Sequence, residues 1–236
     1  MSKLNYKEML DAGVHFGHMK RKWNPKMSPY IFAEKKGIHI IDINKTINEL
    51  ERSAKAIKEI AKSGRKIVFV ATKKQAREIV KSAAESVNMP FVTSRWLGGM
   101  MTNFSTIRKS IKKMEKIDSM LKDKSLTSIT KKERLTLSRE KAKLFKVLGG
   151  IARLNRLPSA MYIVDISQEH LAVKEANKLG ITTFAMVDTN VNPNDVNFPI
   201  PANDDSTKSI ELITAYLTNA IKEGLEERAK AKGSND

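Results

Sequence analysis

Two stretches of the sequence repeat one pattern, in which a short apolar run is followed by an amphipathic helix and a second apolar run. The first stretch begins with residues 66–72 and reaches its second run at 91–93. The other begins at 160–166, continues with a helix over about 168–179 and reaches 182–188. Continuous apolar runs of this length are typical of strands covered on both faces. Each stretch therefore predicts a β-α-β unit, and together they predict one parallel sheet.

Three further elements complete the predicted sheet domain. Residues 39–42 predict another short strand, and a helix with one apolar face follows over about 45–62. A last amphipathic helix is predicted from about 206 to 228. Beyond it, residues 229–236 are polar and predict a disordered tail.

Residues 102–156, between the two β-α-β units, carry no strand pattern. Apolar residues recur there at helical spacing on two arms: Ile107, Ile111, Met114, Ile117 and Leu121, then Leu137, Leu144, Leu148 and Ile151. Such narrow stripes are typical of helices that pack on each other as a coiled coil, and a polar loop is predicted around 123–132. The predicted fold is α/β: a doubly wound parallel sheet with helices on both faces, formed by residues 1–101 and 157–228, plus an inserted, protruding coiled-coil helical hairpin.

Positive charge is concentrated in the first two-thirds of the chain. The 236 residues include 43 lysines and arginines against 26 aspartates and glutamates, a net charge of +17. Residues 1–100 carry 20 basic and 9 acidic side chains, residues 101–156 carry 16 and 5, and residues 157–236 carry 7 and 12. A basic surface confined to part of a chain is typical of nucleic-acid binding. For residues 101–156 alone, a solvated lysine-rich helical surface is an equal alternative.

Several classes of function lack their signature in this sequence. With no cysteine, the chain has no thiol nucleophile, cysteine-based zinc site or disulfide. It contains no glycine-rich phosphate loop, no Gly-x-Ser-x-Gly motif and no His-Glu-x-x-His motif. It also has no apolar run of about 18 residues and no signal-peptide core. We therefore expect a cytoplasmic protein with no cofactor, no small-molecule substrate and no membrane partner.

Two aspartates keep an enzymatic alternative open. Asp165 and Asp188 each come at the carboxyl end of a predicted parallel strand, where doubly wound enzymes bind their ligands. The pair could act as general acid and base on a phosphate ligand. Aspartates at strand ends also cap loops and helix N-termini, which is the interpretation we prefer.

A metal site is a second alternative. His15 and His18 have the i, i+3 spacing of two ligands, and Asp188, Asp204 or Asp205 could add oxygen ligands. Two histidines without a third histidine or a cysteine are a weak zinc signature. Packing or contact with RNA explains both histidines as well, and we assign no metal to them.

Two clusters, at residues 20–26 and 94–103, combine basic, aromatic and amide side chains. Arginine and lysine contact phosphates, tryptophan can stack on an exposed base, and asparagine can bond to sugars or base edges. Each tryptophan can instead be a core anchor. Three basic residues at the start of the helix that follows 66–72 are further candidates. The complete set of predicted RNA contacts is Lys20, Arg21, Lys22, Trp23, Lys26, Lys73, Lys74, Arg77, Arg95, Trp96, Asn103 and Arg108.

Five phrases, in the same order along the chain, resemble the bacterial small ribosomal subunit protein two family. They are Ala-Gly-Val-His-Phe-Gly-His at 12–18, Arg-Lys-Trp-Asn-Pro-Lys-Met at 21–27, Arg-Trp-Leu-Gly-Gly-Met-Met-Thr-Asn-Phe at 95–104, Leu-Pro-Ser-Ala at 157–160, and Asp-Thr-Asn at 188–190 followed by Ile-Pro-Ala-Asn-Asp-Asp at 200–205. Together they extend the resemblance over about residues 5–225.

The resemblance implies a structural protein of the small ribosomal subunit with no catalytic role. It implies a parallel-sheet domain with a protruding helical hairpin, placed on the solvent side between the head and body of the subunit. The implied partners are small-subunit ribosomal RNA, neighbouring small-subunit proteins and the multi-OB-domain protein one, which gathers messenger RNA.

Overall fold

The structure, a computed structural model, describes residues 5–122 and 130–233, without the side chains of 232 and 233. In chain order, the helices and strands are α1 (Tyr6–Asp11), β1 (Phe16–Met19), β2 (Ile31–Lys35), β3 (Ile38–Ile41), α2 (Ile43–Lys62), β4 (Ile67–Val70), α3 (Arg77–Ser86), β5 (Phe91–Val92), α4 (Phe104–Lys122), α5 (Lys131–Leu148), β6 (Ala160–Val164), α6 (His170–Leu179), β7 (Thr182–Val187), β8 (Phe198–Pro201) and α7 (Thr207–Gly233). The strands form two separate sheets.

The larger sheet has five parallel strands in the order β5-β4-β6-β7-β8. Side chains alternate between its faces, as strand geometry requires. In β4, Ile67 and Phe69 pack into one apolar core, whereas Val68 and Val70 pack into the other. Because both faces are buried, these strands have continuous apolar sequences, and the predicted parallel sheet is confirmed.

Helices cover both faces of this sheet. Leu50 of α2, Val80 of α3 and Ile213 of α7 pack on one face. Ile111 of α4 and Ala172 of α6 pack on the other, together with the end of α5. The predicted doubly wound α/β class is therefore confirmed. The strand order reverses between β4 and β6, so the crevice of such folds lies at the carboxyl ends of these two strands.

The segment 188–205, which is rich in asparagine, aspartate and proline, contains the fifth strand of the sheet. β8 pairs in parallel with β7, with Ile200 opposite Met186. Pro199 and Pro201 lie inside β8. Proline cannot donate a ladder hydrogen bond and is tolerated on an edge strand, which is the position that β8 occupies.

The strand predicted at 39–42 exists as β3, but it does not belong to the parallel sheet. It is the central strand of a small antiparallel sheet in the order β1-β3-β2. The neighbouring strands β1 and β2 are short and mix polar with apolar residues, so their sequences carry no clear period. The helix that follows is confirmed, because α2 begins after Asp42, whose side chain accepts a hydrogen bond from the Asn44 N–H at 3.0 Å.

The helical insertion begins in the core of the sheet domain. Ile107 and Ile111 of α4 pack there with Leu148 of α5. At the same end, Nη1 of Arg108 donates to two backbone carbonyls that follow α5. The two helices also contact each other farther out, where Lys113 pairs with Glu140 and Arg134 donates to the Leu121 carbonyl, while the coiled coil remains a prediction. Of the predicted polar loop, residues 123–129 lie outside the described residues.

The last helix is longer than its sequence predicts. α7 continues through Gly233, five residues past the expected end at 228. Residues 229–233 are therefore helical instead of forming the start of a tail. Residues 234–236 lie outside the described residues.

Candidate nucleic-acid interface

One buried carboxylate organises the loop that carries Arg95 and Asn103. Glu175, on α6, accepts hydrogen bonds from the indole Nε1 of Trp96 at 3.0 Å and from the backbone N–H of Gly99 at 2.8 Å. Its other oxygen accepts from the backbone N–H groups of Met101 and Thr102, each at 2.9 Å, and from the Thr102 hydroxyl at 3.1 Å. The loop therefore has one defined path across the end of α6.

The electrostatics of Glu175 favour its charged form. Burial alone raises the pKa of this carboxyl, but the hydrogen bonds from Thr102, Trp96, Met101 and Gly99 outweigh burial and hold the pKa below its ordinary value. Glu175 therefore carries a full negative charge at neutral pH. Sequence reasoning missed it, because a glutamate on an amphipathic helix usually faces solvent.

The segment that carries Lys20–Lys22 and Lys26 is tied to the rest of the fold at several points. The Asn24 N–H donates to the Thr189 carbonyl at 2.8 Å, and the Asn24 side chain accepts from the Lys26 N–H at 3.0 Å. Met27 is fully buried in the same core as Trp96. Both basic-aromatic clusters are thus anchored on one face of the sheet, whereas α3, which begins at Arg77, covers the opposite face.

Eight of the twelve residues predicted to contact RNA are exposed: Lys20, Arg21, Lys22, Lys26, Lys74, Arg77, Arg95 and Asn103. Of these, Lys20 forms a salt bridge with Glu34 at 2.7 Å, and Nε of Arg77 donates to the Thr72 carbonyl at 2.7 Å. The other six keep their charge or amide group at the surface, where a phosphate or sugar can reach it.

The other four predicted contacts are occupied within the protein. Trp96 is 5% exposed and bonded to Glu175, so it is a core anchor and offers no face for base stacking. Trp23 is half-buried, with its ring centroid 5.1 Å from that of His39. Arg108 donates to the carbonyls of Ala152 at 2.9 Å and Leu154 at 3.1 Å, so it braces the base of the hairpin.

Lys73, the fourth, is mostly buried among carboxylates at the carboxyl ends of the parallel strands. Its Nζ lies 3.1 Å from Asp165, 2.6 Å from Asp204 and 2.7 Å from Asp205. Burial lowers the pKa of the ammonium, but the three carboxylates outweigh burial and raise it. Burial, with Asp165 and Asp188 nearby, raises the pKa of Asp204. Lys73 is therefore a structural cation, and the prediction that it contacts RNA does not fit this geometry.

His18 joins the small sheet to the same cluster. Its Nδ1 lies 2.9 Å from Asp188 and its Nε2 lies 3.5 Å from Asp205. The hydrogen bond to Asp188 raises the pKa of His18 more than burial lowers it. His15 does not share this arrangement, because its ring packs at a tilted angle against Phe16, with the ring centroids 4.1 Å apart.

Asp165 and Asp188 have partners within the protein for both of their carboxylate oxygens. Asp165 accepts from the N–H groups of Ser167 and Gln168 with one oxygen and pairs with Lys73 through the other. Asp188 bonds to Thr189 with one oxygen and to His18 with the other. Asp165 thus has the capping role preferred from the sequence, whereas Asp188 bonds to its neighbour Thr189 and to His18. Across residues 5–122 and 130–233, no group of three or more histidine and carboxylate side chains is arranged to hold a metal ion.

The fold and surface define an α/β protein with two anchored basic loops and a cationic helical insertion. Residues 9–224 match the family model described as Ribosomal protein S2. The chain is 59% identical over 230 residues to the small ribosomal subunit protein uS2 of Cytophaga hutchinsonii, covering 98% of this chain and 91% of that protein. It is 56% identical over 232 residues to the protein of the same name from Parabacteroides distasonis, covering 98% and 84%. The chain belongs to the ribosomal protein S2 family.

No helix among the described residues is both long enough and apolar enough to span a lipid bilayer.

Proposed function

We propose that this chain is a structural constituent of the small ribosomal subunit in the bacterial cytoplasm. There it binds small-subunit ribosomal RNA and neighbouring ribosomal proteins, and it catalyses no reaction. Membership of the ribosomal protein S2 family carries this conclusion, since the relatives are named as small-subunit proteins. The charge distribution supports RNA as the main partner, because residues 1–156 hold 36 basic against 14 acidic side chains.

Arg95 and Asn103 are RNA contacts in this proposal. They lie at the two ends of the loop that Glu175 holds through its backbone N–H groups. A loop that already has its bound conformation loses little conformational entropy when it meets RNA. Arg95 binds phosphate, and Asn103 bonds to a sugar or base edge.

Arg21, Lys22 and Lys26 form a second group of phosphate contacts. All three are exposed, and their segment is fixed by Asn24 and by the buried side chain of Met27. Lys74 and Arg77 lie at the start of α3, where they add to the basic surface near the edge strand β5. Each contact contributes a small, salt-dependent part of the affinity, because many of them share the binding.

The insertion at residues 102–156 is a cationic arm on a discontinuous sheet domain formed by 1–101 and 157–228. Its 16 basic side chains against 5 acidic ones support RNA binding along the arm. Ion pairs such as Lys113 with Glu140 join the two helices. Among the described residues of the arm, most of the lysines form no ion pair and can contact phosphates.

An apolar face of the small sheet is the docking surface for a protein neighbour. Phe16 lies opposite Ile40 and Met19 lies opposite Ile38, so these side chains share one face of the sheet. Phe16, Met19 and Ile38 are exposed, although burying them would be favourable. The multi-OB-domain protein one is the neighbour that we assign to this face. Substituting Phe16→Ser should release protein one from purified subunits while this chain stays bound.

Salt-dependent binding of charge variants tests the RNA contacts. Small subunits depleted of this chain are titrated with the parent protein, Arg95→Glu, and the control Lys222→Glu, which alters an exposed lysine in the acidic C-terminal third. Arg95→Glu should bind more weakly and reduce the slope of log affinity against log salt by roughly 0.7–0.9, the value of one phosphate contact. Identical behaviour of the two variants would contradict the proposed role of Arg95.

A further inference from the structure

A groove of about 950 Å³ lies between α3, the edge strand β5 and the end of α5. Its walls are rich in basic side chains: Lys66, Arg77, Lys81, Lys146 and Arg153. Two carboxylates, Glu78 and Glu85, also line it, which leaves a surplus of three positive charges. Only Arg77 among these five was predicted from the sequence to contact RNA; Lys66, Lys81, Lys146 and Arg153 were not.

Three of the five groove cations have neutral acceptors instead of carboxylates as partners, and one of these, Arg77, donates through Nε to the Thr72 carbonyl. Lys66 Nζ donates to the Asn88 carbonyl at 3.0 Å, and Arg153 Nη1 lies 3.5 Å from Asn88 Oδ1. Within the described chain, none of the five forms a salt bridge, whereas lysines elsewhere, such as Lys20 and Lys58, do. Three of the five cations are therefore positioned by hydrogen bonds or close contacts. None of the five is neutralised by an ion pair with another described residue, as a site for an anionic partner requires.

An exposed aromatic ring completes the groove. Phe145, near the end of α5, lies outside the apolar stripe that packs on α4 and is 61% exposed. Its ring lies against the backbone of Gly149, where a Cβ would come within 3.1 Å of it. The ring thus rests on the helix end and leaves most of its surface to the groove. An exposed aromatic ring among cations suits base stacking better than an apolar protein contact.

The walls of the groove are fixed by close packing. A Cβ on Gly150 would lie 2.2 Å from the Phe91 carbonyl oxygen, so the chain after α5 sits directly on the edge of β5. Met89 and Pro90 are buried beside it. This contact holds Phe145 and Lys146 at a constant position relative to α3.

We propose that this groove binds an unpaired nucleotide of small-subunit ribosomal RNA, with Phe145 stacking on the base and the groove cations contacting the flanking phosphates. The inference rests on the proposed function and adds a specific site to it. Single-stranded RNA is recognised elsewhere by this combination of an aromatic platform and surrounding positive charge.

The test compares variants of the full chain in small subunits depleted of it. Phe145→Ala should lower the affinity by about 5- to 150-fold, the loss measured when a stacking aromatic is removed, and one unpaired base should become more reactive to base-modifying reagents. Phe145→Trp should retain affinity and base protection, whereas Phe145→Leu should not. Leu135→Ala is the matched control, because Leu135 is a 52% exposed apolar residue on the same helix but outside the groove.

The outcomes separate this inference from the proposed function. If Phe145→Ala and Leu135→Ala bind alike and leave every base equally protected, the groove proposal is wrong while the ribosomal role stands. A loss of affinity without any change in base reactivity would indicate a protein neighbour in the groove and would also overturn it. If the parent chain does not bind the subunit at all, both proposals fail. Because Phe145 is exposed, thermal unfolding of Phe145→Ala should match that of the parent.

Discussion

Glu175→Gln should destabilise the protein strongly, because one carboxylate satisfies five donors of the loop that carries Arg95. Trp96 and Gly99 donate to one oxygen, and Met101 and Thr102 donate to the other. Glutamine keeps one acceptor oxygen and replaces the other with an amide donor. At least two N–H groups then lose their acceptor in a buried site, and each costs about 1–3 kcal/mol. The expected loss is about 2–6 kcal/mol, a large part of the ~5–15 kcal/mol that stabilises a typical domain.

Urea unfolding with linear extrapolation measures this loss directly. Glu226→Gln is the control, because it makes the same chemical change at an exposed position of α7. The control should change the free energy of unfolding by less than about 0.5 kcal/mol. In the Glu175 variant, amide exchange of Gly99 and Met101 should also accelerate before global unfolding. A loss below about 1 kcal/mol, or equal to that of the control, would refute the argument that Glu175 holds the loop.

Three further predictions concern the rest of the fold. The pKa of His18 is raised above 6.5, so its ion pairs stabilise the protein fully below that pH, and the stabilisation is lost as pH rises through the raised pKa. As pH rises above 6.5, the parent should therefore lose more free energy of unfolding than His18→Gln, and parallel pH profiles of the two would contradict this. Arg108→Met should lower the free energy of unfolding by about 1–3 kcal/mol, because it removes a charged donor from two carbonyls. Urea unfolding of the free protein measures this change, and unchanged stability would refute the bracing role. Gly150→Ala should lower the free energy of unfolding by about 1–3 kcal/mol, because the added Cβ clashes with Phe91. The control Gly98→Ala should leave stability unchanged, because a Cβ there meets nothing within 4 Å. Thermal unfolding followed by fluorescence measures both variants against the parent, and equal stability of the two variants would contradict the clash.

The main sheet and its helices could be predicted because their patterns are local. β4, β6 and β7 are continuous apolar runs, and α2 and α6 have one apolar face each. β8 could not be recognised, because Pro199 and Pro201 are unfavourable in most strands and are allowed here only by its edge position. The small sheet was missed because its strands are short and its order, β1-β3-β2, depends on contacts that the sequence does not reveal.

The site could be predicted only in part, for an electrostatic reason. Sequence patterns find cations, but they do not show which cation has an internal partner. Lys73 and Arg77 lie one turn apart, yet Lys73 is enclosed by Asp165, Asp204 and Asp205, which come from distant parts of the chain. The groove around Phe145 could not be predicted either, because its walls come from three separate elements, α3, β5 and α5.

Cosedimentation across a salt gradient tests the central claim most directly. The tagged full chain is followed in extracts of its own cells as ribosomal particles are separated at increasing salt. We predict that it migrates with the small subunit at low salt and is released as salt rises, because phosphate contacts supply much of the affinity. Migration as free protein at every salt concentration would contradict the ribosomal role and reopen the cluster around Asp165 and Asp188 as a ligand site.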